Sequence, residues 1–164
     1  MAEKFEFKTI SLDGIGAAIS RAEHYRLLNQ PVQAASICQD ILAVDPNNQR
    51  ALVVLVLAMT DQFDTSASSQ NEAKGHANQL TDEYQRLYYY GIIAERKARA
   101  LLTKGPSRAF AYEVFREAME WFEKATEVRP LGNDDVILRW NSCLRTIRDQ
   151  NLAPRQPEGE LGLE

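Results

Sequence analysis

Residues 18–46 read AISRAEHYRLLNQPVQAASICQDILAVDP, and this stretch decides the architecture. Ala18, Ala22, Tyr25 and Leu28 recur at spacings of three and four, which lines one face of a helix. Asn29, Gln30 and Pro31 follow. Proline lacks an N–H and fixes φ, so it is disfavoured inside a helix but suits its first turn. A second helix is therefore expected from Pro31, with Ala34, Ile37, Cys38, Ile41 and Leu42 on its apolar face and Asp45-Pro46 as its stop. The small residues Ala18, Ala22, Ala34 and Ala35 fall where two antiparallel helices would cross closely. Helices of about 15 residues are marginal alone, so the pair must pack on itself and on a neighbour.

This stretch resembles the tetratricopeptide repeat (TPR) family on four residues: Ala22, the aromatic Tyr25 three later, Ala34 nine after that, and the helix-ending Pro46. Cys38 stands in the usual aromatic slot of the second helix, and Ile41 stands in a small-residue slot. The family period is about 34 residues. One period on from Ala18, Ala22 and Tyr25 lie Leu52, Val56 and Met59, all apolar. The resemblance implies an all-α, right-handed stack of about three antiparallel hairpins closed by a solvating helix, with a concave surface that binds peptides.

Composition agrees with a globular helical chain. The 164 residues are 45% apolar and 26% charged, with a net charge of −4 and the two signs mixed. Nucleic-acid binding would call for a strongly basic face, which is not expected here. No apolar run is long enough to cross a membrane; Ala51–Met59 is nine residues. The start, MAEKFEFKTISLDG, lacks a signal-peptide core. Cys38 and Cys143 lie on apolar helix positions and read as buried free thiols in a reducing compartment. The expected location is cytoplasmic.

In order, residues 1–10 form an N-terminal arm with Phe5, Phe7 and Ile10 alternating with polar residues, and 11–150 form the helical array. Ser11 or Asp13 is expected to cap the first helix. The hairpins are expected at about 12–46, 47–80 and 82–130, with a final helix at 134–149 and a disordered tail at 151–164. Asn47-Asn48 should cap a helix over 49–62, apolar almost all round and therefore central. Its valines also suit a buried strand, and the repeat register favours helix. Asp64, Thr65 or Ser66 should cap a thin helix running to about Leu80. Thr81 or Asp82 should begin the strongest helix, 82–103, ended by Lys104-Gly105-Pro106. Helix 107–128 should turn Phe110, Val114, Ala118, Trp121, Phe122 and Ala125 inward. Pro46 and Pro130 are 84 residues apart, whereas two periods span about 68. The excess, about two turns in each helix, predicts a finger around 97–112 projecting from the array. Asn133 with Asp134-Asp135 should cap the last helix, whose Val136, Trp140, Cys143 and Ile147 face inward.

No catalytic, metal or cofactor site is expected. His24 and His76 are the only histidines and read as surface residues. There is no CxxC, HxxxH, P-loop or calcium loop. Asp134-Asp135 reads as a cap, because adjacent helical residues do not face one another. Tyr88-Tyr89-Tyr90 puts three rings on three faces of one helix, near Arg86, Arg96 and Arg99. By the resemblance, the groove would be lined by Ile19, Glu23, Arg26, Arg50, Val53, Leu57, Tyr88, Ile92, Arg96, Asn141 and Arg145, with Tyr89 beside them. Asn141 is the one asparagine of that set and no lysine accompanies it, so the clamp that some TPR proteins use for a C-terminal carboxylate is not reproduced. The leading expectation is a non-catalytic scaffold that holds a peptide or helix of a protein partner. The alternative is a self-assembling or chaperone-like protein that uses the 82–128 hairpin, with Phe110, Tyr112 and Phe115 partly exposed and a homodimer as one outcome.

Overall fold

The structure, a computed structural model, describes residues 3–65 and 69–156. Among these residues it is all helical, with α1 at Ile15–Leu27, α2 at Pro31–Val44, α3 at Gln49–Thr60, α4 at Gln70–Ala77, α5 at Glu83–Leu102, α6 at Ala111–Glu127 and α7 at Asp135–Asp149. Each helix packs on the next in the chain. The odd-numbered helices also touch in succession, α1 on α3 and α3 on α5. Hydrogen bonds then tie α5 to α7.

Local chemistry sets the boundaries. Pro31 opens α2, and Asn29 takes a φ of 58° in the tight turn before it. Asn48 caps α3, its side chain accepting from Ala51 N–H at 2.9 Å. Asp82 caps α5 by accepting from Gln85 N–H at 2.9 Å. Each such cap satisfies an N–H that the helix cannot pair itself. Ser11 caps a single 3-10 turn at Leu12–Gly14 rather than α1 directly. α4 starts later than expected: Ser69 caps it, not Asp64 or Thr65, which lie in a separate 3-10 turn. Ser66 falls outside the described residues.

Burial follows the helical stripes. Ala22, Ala34 and Cys38 are fully buried where α1 crosses α2, and α3 is buried on most sides, as its all-round apolar sequence requires. At the α5–α6 crossing, Gly91 lets the helices approach closely. A Cβ there would stand 2.3 Å from the Phe122 ring. Both cysteines are buried and free. Phe5 and Phe7 of the arm are exposed and cover nothing.

The lengthened third hairpin does not project as a finger. α5 has 20 residues against 12 in α3, so the extra length is real. However, α7 and the chain after it lie along the extension. Arg99 donates to Ser142 and Thr146 at 3.0 Å each, and Arg108 donates to the Gln150 carbonyl at 3.1 Å. Ala98, Ala111 and Phe115 are buried as a result. Phe115 is thus core rather than partly exposed, and Phe110, expected inward, is 48% exposed. The reason is a 3-10 turn at Gly105–Phe110, which delays α6 to Ala111 and changes the phase of its first turn. Residues 151–156, expected to be disordered, pack back: Leu152 joins the core, Arg155 N–H donates to Glu113 at 2.8 Å, and its guanidinium covers Phe110.

Candidate interaction surface

The odd-numbered helices present one face, and arginines dominate it. Two carboxylates organise them. Asp61, just after α3, accepts from Arg26 of α1 in a two-pronged contact, Nε at 2.7 Å and a terminal nitrogen at 3.2 Å. Arg96 of α5 approaches the same carboxylate at 3.5 Å. One helix further on, Glu95 of α5 is 0% exposed. It takes Arg99 at 3.2 Å and Arg139 of α7 at 3.3 Å, and the Cys143 thiol donates to it at 3.6 Å.

Four guanidiniums therefore share two carboxylates. Arg96 and Arg139 are shifted in opposite directions. Burial lowers the pKa of Arg96; Asp61 and Glu95 act to raise it, and the Arg139 and Arg26 guanidiniums lower it further. Burial also works against the charge on Arg139, but Glu95 and the Tyr88 hydroxyl outweigh it and raise its pKa. Arg96 and Arg139 keep 31% and 34% of their side chains exposed, and each makes one long ion-pair contact. A guanidinium has five N–H donors, so both retain donors for an incoming acceptor. Arg96 and Arg99, with Asn29, Thr60, Asp61, Phe63 and Thr103, line a cleft of about 300 Å³.

The expected groove residues fall into four groups. Arg26 and Arg96 converge on Asp61. Glu23 and Arg50 form an exposed ion pair of 2.7 Å, and with Val53 and Tyr89 they border a second cleft of about 170 Å³. Arg50 is thus already paired, and an exposed pair of this kind is worth little in stability. Leu57, Tyr88 and Asn141 are half-buried and Arg145 is exposed. Ile19 and Ile92 are buried at 4% and 1% exposure, so they are core and not lining. Tyr89 packs edge-on against Tyr88 with ring centres 5.1 Å apart. Burial first, and then Tyr88, push its pKa up to about 12. Arg86 caps a loop, donating to the Leu80 carbonyl at 2.8 Å, and is no part of the surface.

Asp61, Glu95 and Arg139 escape a sequence reading of the groove. Glu95 carries a usable signal, since it lies four residues after Gly91 and three before Ala98, on the apolar stripe of α5. Asp61 and Arg139 carry none, because their partners lie far away in the chain. Among the described residues there is no cluster of His, Cys, Asp and Glu able to hold a metal ion. No described helix is long and apolar enough to cross a membrane. A scan against protein-family models finds no matching family, and searches of curated proteins and of solved structures find no match.

Proposed function

We propose that the protein is a non-catalytic, TPR-like interaction scaffold of the cytoplasm that holds an extended peptide or helix of a protein partner along the face of its odd-numbered helices. One observation carries the reading: half-buried Arg26 of α1 and Arg96 of α5 share the single carboxylate of Asp61 at the edge of an open cleft that Arg96 and Arg99 line. Arginine's planar fork matches a carboxylate, and donors set before binding lose little entropy on use. Half-buried Leu57 and Tyr88 supply apolar contact, and the arginines supply orientation. Buried free thiols fit a reducing compartment.

Substitution tests the reading. Arg96→Gln removes the charge that meets Asp61 at the cleft, keeps a hydrogen-bonding side chain and leaves the Glu95 cluster intact. Partner capture should fall about tenfold, a loss of ~1.4 kcal/mol, with circular dichroism unchanged. Unchanged capture would contradict the reading. Self-assembly through the third hairpin has less support, because Phe115 is buried and Arg155 occupies one face of the Phe110 ring, although Phe110 stays 48% exposed and Tyr112 is half-buried.

A further inference from the structure

The run Tyr88-Tyr89-Tyr90 leaves one ring that the groove does not use. Tyr90 stands nine residues before Arg99, two and a half turns, and so on the opposite side of α5. There its ring centre lies 4.9 Å from that of Trp121 on α6, and its hydroxyl donates to Asn78. Two ammonium groups sit on this aromatic pair. Lys74 of α4 lies 5.4 Å from the Tyr90 ring centre and 5.2 Å from that of Trp121, and Lys124 lies 4.6 Å from Trp121. Neither lysine has a carboxylate partner among the described residues. In a chain of net charge −4, two unneutralised lysines gathered from two helices onto one indole form a local anode.

We propose that Lys74, Tyr90, Trp121 and Lys124 form a second docking site, for a short carboxylate-bearing segment of a protein partner. The rings hold the ammoniums in place by cation–π attraction, so little rotamer entropy remains to be lost when an anion arrives. Each ammonium carries three N–H donors for that anion. Tryptophan and tyrosine at the centre give the contact its apolar area, the usual make-up of an interface anchor. Charge complementarity favours a protein segment over a nucleic acid. The ring faces already carry ammoniums, which hinders base stacking. Exposed Glu117 and Glu120 precede Lys124 on α6 and would repel any continuous run of anionic groups, phosphate or carboxylate. A segment with a few carboxylates fits between those limits.

The test uses the intact chain with Trp140→Phe, which leaves Trp121 as the one indole. Titration with a short synthetic peptide that carries two glutamates among neutral residues should change Trp121 emission saturably. Lys74→Glu with Lys124→Glu should weaken that titration at least about tenfold, whereas Lys104→Glu should leave it unchanged. No saturable change, an equal titration in the lysine reversals, or tighter binding of a single-stranded oligonucleotide would overturn the proposal. If Trp140→Phe perturbs the fold, carbodiimide coupling of the same peptide to the unaltered protein gives an independent readout. Isopeptide bonds concentrated at Lys74 and Lys124 support the site, and bonds spread evenly over the lysines overturn it.

Discussion

Asp61 and Glu95 solve one physical problem in two ways. Each is a carboxylate shared by two arginines from different places in the helical row. Glu95 is fully buried, and its three partners include a thiol that is itself buried. Asp61 keeps 17% of its side chain exposed, borders a cleft, and holds one of its arginines only at 3.5 Å. A buried charge is tolerated only when its partners satisfy it, so the Glu95 cluster acts as a lock between α5 and α7. A half-open cluster is free to exchange partners, so the Asp61 cluster is the place for a ligand. The difference between them is burial more than residue type.

The largest effect tests the lock. Glu95→Ala should destabilise the fold by about 3 kcal/mol, because it leaves Arg99 and Arg139 without their shared carboxylate. Urea denaturation measures this as a lower midpoint. The Gly91→Ala change belongs to the same locked half. Its methyl group meets the Phe122 ring, and overpacking of this kind costs about 2 kcal/mol by the same assay. On the open side, Asp61→Ala should cost about 1 kcal/mol or less, since its pairs keep contact with water. Asp61→Ala matching Glu95→Ala in stability would erase the distinction. Smallest in free energy is the behaviour of Cys143. Burial first, and then Glu95, push its thiol up to about 12. A thiol reagent at about pH 8, close to the ordinary cysteine pKa of about 8.5, should leave it unmodified until the protein unfolds. Rapid labelling of folded protein would show that the lock opens.

Much of this organisation is legible in the chain. Pro31, Asn48 and Asp82 place three helix starts by local chemistry, which sequence carries directly. The cap of α4 is harder, because residues 64–69 offer several oxygen side chains in succession and only packing selects Ser69. The exchange of Phe110 for Phe115 has a similar origin. A 3-10 turn shifts the phase of α6, and periodicity read from Phe110 cannot see it. The finger fails as an expectation because its length is legible while its cover, supplied by α7 and Arg108, comes from distant sequence. The surface shows the same division. Helical periodicity places Arg26 on α1 and Arg96 on α5, whereas their meeting at Asp61 depends on how α1, α3 and α5 stack.

The most direct test of the central claim places a photo-cross-linking residue at half-buried Leu57, on the arginine face, and separately at exposed Ser36 on α2. One partner adduct is expected from position 57 that disappears when Arg96 is changed to glutamine, and no such adduct from position 36. An adduct from position 36 alone, or one from position 57 that survives Arg96→Gln, would contradict the arginine face as the binding surface.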